Sequence, residues 1–307
     1  MKVIVTIPAY NEEESITEVI KSIPREMDGV TSVEVLVISD GSTDTTVTKA
    51  QEAGADYVLE NYRNLGLAQT FQRLMEEAYI RGADIMVNTD ADNQYDQGQI
   101  PDLIAPVMAR QADMVIGDRQ VAHLDHMPPS KKIGNRLGSA IIRLLAGTSV
   151  TDASSGFRAL SRDMIKRIRI FSAHTYTHES IIHATHFGFR IAEVPVTFRA
   201  RQDGGSRLIS GVLSHIMKSG VVIVRSILMY KAYKFLVIIG SVTMGIGVLI
   251  GLRFLVFYIT QGGQGMIQSL ILASILIAIG FSTIITGVLA DQIKLNRLLL
   301  ERLLDKE

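Results

Sequence analysis

Two carboxylates one residue apart, Asp90 and Asp92, follow the apolar run Ile85-Met86-Val87. In an extended segment, residues i and i+2 point the same way, so both side chains can converge on one point. Two like charges that close repel unless one is protonated or a cation lies between them. Hard oxygen ligands suit Mg²⁺ or Mn²⁺, and Mg²⁺ is commonly held by one or two carboxylates plus substrate phosphates. The stretch therefore reads as a metal–diphosphate site at the end of a buried strand. A polar turn would accommodate the same residues, so the surrounding elements must decide.

Those elements alternate. Apolar strands are expected at 2–7, 33–39, 57–59, 85–88, 114–116 and 190–196. Helical spacing is expected over 16–23, 43–53, 67–79, 98–109, 137–145 and 178–187, with a long loop over 120–135. Strands alternating with helices predict an α/β fold with a mostly parallel sheet. Ligands bind such sheets beyond the carboxyl ends of the strands. The polar stretches at 8–13, 40–44, 90–94 and 117–119 all fall there.

The chain's 307 residues carry 31 basic and 31 acidic side chains, so no charge excess favours nucleic acid as a partner. It has no cysteine, which removes disulfides, thiol nucleophiles and Cys-ligated zinc. His174, His178, His183 and His186 do not share one helical face, and read as core or surface histidines. No signal peptide is expected ahead of the first strand.

Beyond residue 207 the character changes. Residues 208–234 mix Lys218, Arg225, Lys231 and Lys234 with aliphatic side chains, as in helices lying at a membrane surface. Two apolar stretches within 235–290 are each long enough to span a hydrocarbon core of roughly 30 Å. Their connector, residues 258–266, has no Lys or Arg, whereas Lys231 and Lys234 precede the first span and Lys294, Arg297 and Arg302 follow the second. The positive-inside rule then puts residues 1–207 and the tail, 291–307, on the cytoplasmic side. The tail reads as a short amphipathic helix. Gly280 and Gly287 in the second span are spaced to support helix packing.

In order along the chain stand Pro8-Ala9-Tyr10-Asn11-Glu12-Glu13, Asp40-Gly41-Ser42-Thr43-Asp44, Asn64-Leu65-Gly66, Asp90-Ala91-Asp92-Asn93-Gln94 and Gly117-Asp118-Arg119. Asp152 with Ser155-Gly156-Phe157-Arg158, Glu193-Val194-Pro195, and Arg201 with Gly204-Gly205-Ser206 complete the series. With these eight motifs the sequence resembles the family-2 glycosyltransferases, most closely the polyprenyl-phosphate group that includes dolichol-phosphate mannose and glucose synthases.

The resemblance implies a GT-A fold and a nucleotide-sugar donor. Pro8, Tyr10, Glu12 and Asp40 would line the nucleoside pocket, together with Asp90 and Ala91. Asp90, Asp92 and Gln94 would hold Mg²⁺ or Mn²⁺ on the donor diphosphate, with Asp92, Arg119 and Arg201 carrying the reaction. Arg119, Lys132, Asn135 and Arg136 would bind the phosphate of a polyprenyl acceptor. Arg201, Ser206 and Arg207 would close over the donor diphosphate. Arg207 stands where this group usually has Lys, and Lys-Lys-Ile-Gly-Asn-Arg stands at 131–136 where mannose synthases usually have arginines. The Gln-x-x-Arg-Trp pattern of processive synthases is missing, and the chain has no Trp. One sugar per encounter is expected, and the resemblance implies a homo-oligomer.

A phosphate monoester is already ionised near pH 7, since its second pKa is about 6. Such an acceptor needs cations rather than a strong base. A hydroxyl acceptor would instead need Glu179 or Asp152 as base. A membrane-tethered nucleotide-sugar binder without catalysis is the remaining alternative.

Overall fold

The computed structural model describes residues 1–125, 127–170, 175–200, 232–262 and 267–304. By contact density the chain forms two compact units, Met1–Ile223 and Val224–Glu307.

The first unit holds a seven-stranded sheet. Its strands are β1 (Lys2–Ala9), β2 (Ser32–Ser39), β3 (Tyr57–Glu60), β4 (Ile85–Asn88), β5 (Met114–Asp118), β6 (Arg158–Ser161) and β7 (Ile191–Pro195), in the spatial order β3-β2-β1-β4-β6-β5-β7. All pairings are parallel except those of β6, which runs antiparallel to β4 and β5. The α/β, mostly parallel architecture is as expected. β1 is buried from Val3 to Ala9, which is why its sequence is a continuous apolar run rather than an alternating one. Each such Val or Ile stabilises the fold by roughly 1.5–3 kcal/mol.

Helices α1 (Ile16–Ser22), α2 (Thr46–Glu52), α3 (Leu67–Ile80), α4 (Ile100–Met108), α5 (Pro129–Ala146), α6 (Arg162–Arg167) and α7 (Thr177–His186) connect the strands. α3 buries Ala68, Phe71, Leu74, Met75 and Ala78 along one face. Phe71 stacks on Tyr176 at the start of α7, with ring centroids 3.7 Å apart.

Two expectations need correction. Residues 129–135 are not loop: Pro129 opens α5, its fixed φ suiting a first helical turn. No strand was expected over residues 158–161. They form β6, which takes a central place beside β4.

The second unit is a helical hairpin of α8 (Ala232–Gln261) and α9 (Ile267–Leu304). The apolar segments Tyr233–Thr260 and Ile267–Ile293 are each long and apolar enough to cross a membrane. A Cβ on Gly280 would fall 2.6 Å from the Gly240 carbonyl oxygen and 2.6 Å from the Met244 nitrogen, so the two helix backbones touch there. Gly287 likewise packs against Leu236. The packing expected of these two glycines is thus made inside the hairpin. α9 also runs unbroken into 291–304, where a separate tail helix was expected. The juxtamembrane stretch 208–231 lies outside the described residues.

Candidate active site

The polar motifs meet at the carboxyl ends of β1, β2, β4 and β5. The loops after β1 and β2 are stapled together. Asn11 Oδ1 accepts from the Thr43 N–H at 2.8 Å, and Thr46 Oγ1 accepts from the Glu12 N–H at 2.9 Å. Ser15 Oγ donates to the Ala91 carbonyl at 2.7 Å, which ties α1 to the loop after β4.

Asp40 is buried, and its carboxylate accepts from Asn61 Nδ2, Leu65 N–H and Gly66 N–H at 2.8–2.9 Å. It therefore fixes the 61–66 loop at the carboxyl end of β2. Gly41 lets that loop pass: its φ is +71°, and a Cβ would lie 2.6 Å from the Arg63 backbone. Pro8 and Ala91 are buried, while Tyr10 is exposed.

Asp90 is half-buried beside the turn 151–157. A Cβ on Gly156 would sit 2.9 Å from both Asp90 oxygens and 3.0 Å from Tyr176 Oη, so only glycine admits the carboxylate here. The turn is fixed from three sides. Asn88 Nδ2 donates to the Gly156 carbonyl and to Tyr176 Oη, both at 2.9 Å. Gly156 N–H donates to Tyr95 Oη at 3.1 Å. Arg158 is fully buried and donates to the carbonyls of Ser155, Thr177 and Ala153 and to Ser180 Oγ at 2.7–2.9 Å. Burial pushes its pKa down to about 10, so it stays cationic at neutral pH.

Burial and the neighbouring Asp92 charge push the Asp90 pKa up to about 7, against the opposing pull of Arg119 and Arg158. A carboxylate held under such repulsion is what a divalent cation relieves. Asp92 Oδ1 accepts from the Gln94 N–H, and Gln94 Nε2 donates to the Arg199 carbonyl. No group of three or more His, Cys, Asp or Glu suited to a metal occurs among the described residues. Two carboxylates and an amide oxygen fit a hard cation that completes its shell from substrate phosphates.

The cationic side of the site is built on Arg119. Its Nε and Nη2 make a bidentate pair with Asp152 at 2.7 and 2.8 Å, and Nη2 also donates to Ser154 Oγ at 2.7 Å. The guanidinium lies over the Phe198 ring, 5.1 Å from its centroid. Nη1 has no hydrogen-bond partner among the described residues, which leaves two N–H groups for a ligand. Asn135 joins the same cluster, with Nδ2 3.3 Å from Asp152 Oδ1 and Oδ1 accepting from Ser154 Oγ at 2.6 Å. Burial alone would raise the Asp152 pKa, but Arg119 overrides this and holds it below the usual carboxylate range.

The remaining predicted residues are dispersed. Lys132 donates to the Ala122 carbonyl, and Arg136 is exposed about 100° round α5 from Asn135. Arg201, Ser206 and Arg207 lie outside the described residues. The chain leading to them is anchored at the loop after β4, since Arg199 N–H donates to the Gln94 carbonyl at 2.7 Å. Glu179 and His183 are buried within α7, 3.6 Å apart.

Sequence reasoning quoted Glu193 without a role. Its carboxylate accepts from the N–H groups of Thr151 and Asp152 at 2.8–3.0 Å and so aims Asp152 at Arg119. Asn88, Tyr95 and Tyr176 were missed altogether. A polar Asn closing an otherwise apolar strand was the signal available for the first.

The description "Glycosyl transferase family 2" matches residues 4–169, more than half of the chain. The chain belongs to glycosyl transferase family 2. It is a glycosyltransferase with a GT-A fold. It is 32% identical over 223 residues to an undecaprenyl-phosphate mannosyltransferase of Micrococcus luteus, covering 69% of this chain and 90% of that one. It is 30% identical to a dolichol-phosphate mannosyltransferase of Pyrococcus furiosus, covering 68% and 59% respectively. A UDP-N-acetylglucosamine–dolichyl-phosphate N-acetylglucosaminyltransferase of Methanococcus voltae is also 30% identical, covering 62% and 82%. Among solved structures, glucosyl-3-phosphoglycerate synthase from Mycobacterium tuberculosis with Mn²⁺, UDP and glucosyl-3-phosphoglycerate matches with TM-score 0.55 at 24% identity. That match covers 74% of this chain and 78% of that one, and shows the shared fold.

Proposed function

We propose that this glycosyltransferase moves one hexose from a nucleoside diphosphate sugar to a polyprenyl phosphate at the cytoplasmic face of a membrane, with inversion. The observation that carries this is the pairing, around one turn, of an acidic half and a cationic half. Asp90 and Asp92 stand on the first; Arg119, Asn135 and Ser154 stand on the second.

When bound on Asp90, Asp92 and Gln94, a divalent cation supplies charge that stabilises the leaving nucleoside diphosphate. Tyr10, Glu12 and the loop held by Asp40 border the nucleoside. Arg119 offers its two Nη1 N–H groups to the acceptor phosphate and holds two anionic reactants together. Attack by the phosphate oxygen on the anomeric carbon, opposite the diphosphate, inverts configuration. Names of relatives support a polyprenyl acceptor.

A hydroxyl acceptor fits less well. It needs a base, and Asp152 is spent on Arg119 with its pKa lowered. A phosphate acceptor needs none.

The test is transfer by detergent-purified full-length protein. UDP-glucose, UDP-N-acetylglucosamine and GDP-mannose are each offered with a short polyprenyl phosphate, with Mn²⁺ or with chelator. Chelator-sensitive glycolipid from one donor is the expected result. Nucleotide-sugar binding without transfer to the polyprenyl phosphate from any donor overturns the proposal.

A further inference from the structure

The helical hairpin carries a single charge. Between Lys234 and Asp291 the only charged residue is Arg253, on α8. It stands on a side of α8 turned away from α9. The contact face of α8 runs through Gly240 and Gly247, which approach the α9 backbone, and Arg253 lies about 120° round the helix from Gly247. Arg253 is exposed, and Leu249 and Val256, one turn to either side of it, are 68% and 62% exposed. Residues 235–290 contain no Asp or Glu. The hairpin therefore supplies no carboxylate for Arg253, and a second copy of the hairpin would bring none. A cation within a span pairs with another group or snorkels to the interface.

Depth identifies the partner. Lys234 and Arg253 are nineteen residues apart, about 28 Å along a helix. A hydrocarbon core is roughly 30 Å thick. With Lys234 at one boundary, Arg253 reaches the other. Two exposed tyrosines bracket this pair: Tyr233 precedes Lys234, and Tyr258 follows Arg253. Tyr is enriched at both membrane–water interfaces, where its ring sits at head-group level. α9 changes character at the matching height. Gly247 and Gly251 both lie against Ala273, so antiparallel packing sets Arg253 level with the first residues of α9, which include Gln268 and Ser269.

We propose that Arg253 binds the phosphate of a lipid in the leaflet faced by the connector between α8 and α9. The planar guanidinium suits a phosphate bidentately. A lipid phosphate is present at this height in any phospholipid bilayer, so no partner protein has to be invoked. The contact pins the hairpin at one depth, with residues 254–261 in the head-group layer. Depth and rotation of a span are set by such interfacial anchors. The proposal rests on the membrane reading given under the proposed function.

The chain has no cysteine, so Val256→Cys creates a unique label site. The full chain with this change is labelled with bimane and placed in vesicles of phosphatidylglycerol and phosphatidylcholine. Lipids brominated at shallow or at deep acyl positions report the depth of the label. Shallow bromines should quench it severalfold more than deep ones. Arg253→Leu should move the ratio severalfold toward the deep bromines, because the apolar run then continues to residue 259. Arg253→Lys should keep the shallow ratio. Vesicles of an uncharged glycolipid, which has no phosphate, should reproduce the Arg253→Leu ratio without any change at 253.

Equal ratios with Arg253 and in Arg253→Leu overturn the proposal. So does a ratio unchanged in the phosphate-free vesicles, which assigns Arg253 to water or to a carboxylate of another protein. The second arm alone decides the matter where Arg253→Leu fails to insert. Retention in vesicles after an alkaline wash reports the spans separately, and glycolipid formation reports the transfer reaction separately. Failure of the Arg253 proposal is thereby distinguishable from failure of either.

Discussion

Replacing Asp152 by Asn keeps the shape of the side chain and removes its charge. The carboxylate is 1% exposed and accepts Arg119 Nε and Nη2 at 2.7 and 2.8 Å. An Asn can accept with one atom only, so at least one charge-assisted bond is lost, worth about 1.5–3 kcal/mol. Breaking a buried ion pair from one side costs about 3–5 kcal/mol. The Arg119 side chain retains 12% exposure, so some water reaches it and the lower end applies, about 2–3 kcal/mol of stability. The catalytic consequence is sharper. If Asp152 acts only by holding Arg119, Asp152→Asn and Arg119→Gln lose the same thing. Each should lower kcat/KM for the acceptor by roughly 10- to 150-fold, the equivalent of 1.5–3 kcal/mol. The double variant should then be no worse than Arg119→Gln alone. The assay is glycolipid formation at varied polyprenyl phosphate, with urea unfolding run in parallel. Multiplying losses in the double variant, roughly 10² to 10⁴-fold together, would mean that Asp152 has its own chemical role and would refute this account.

Three other outcomes follow from the same geometry. The raised Asp90 pKa, about 7, means that protons compete with a cation below neutrality. Apparent Mn²⁺ affinity in the presence of UDP should therefore rise from pH 6 to 8, and the UDP–Mn²⁺ increase in melting temperature should vanish in Asp92→Asn. A Mn²⁺ titration independent of pH would contradict this. Gly156→Ala puts a methyl 2.9 Å from both Asp90 oxygens, so the carboxylate or the turn must shift; overpacking of this kind costs about 1–3 kcal/mol. Thermal unfolding should show that loss and calorimetry a weaker Mn²⁺–UDP complex. Asp152 has a lowered folded-state pKa, so its stabilisation is present above its unfolded pKa of about 3.9 and is lost as pH falls below that. Urea midpoints should fall below about pH 5 in the wild type, and less steeply in Asp152→Asn.

What could be read from the sequence follows from how its elements are buried. β1, β2 and β4 are covered on both faces, so they appear as continuous apolar runs, and the metal loop follows the third. β6 could not be found that way. It has four residues, opens on Arg158, and is strand-like only because it fills the gap between β4 and β5. The start of α5 was hidden by Pro128-Pro129 and Gly134, residues that punctuate loops more often than they open helices. Aspartates 90 and 92 were legible as a pair. That Asp90 depends on Gly156, 66 residues away, was not, because tertiary contact carries that information.

The seven residues from Asp152 to Arg158 explain why the two halves of the site belong to one motif. Asp152, at one end, fixes the cation Arg119; Gly156 leaves room for Asp90, the proposed metal ligand. The turn's supports come from several elements: Glu193 from β7, Asn88 from β4, Tyr95 from the loop after β4, Asn135 from α5 and Thr177 from α7. A fully buried Arg158 ties three of the turn's neighbouring carbonyls together at the cost of desolvating a cation. Such a cost is tolerated where rigidity matters, and here it fixes the spacing between the groups proposed to hold the donor and those proposed to hold the acceptor. Reaction by direct displacement needs that spacing held to a fraction of an ångström, because misplacement of about 1 Å can cost 10²-fold in rate. On the proposed function, the turn is therefore a positioning element of the site even where its own residues touch no reactant.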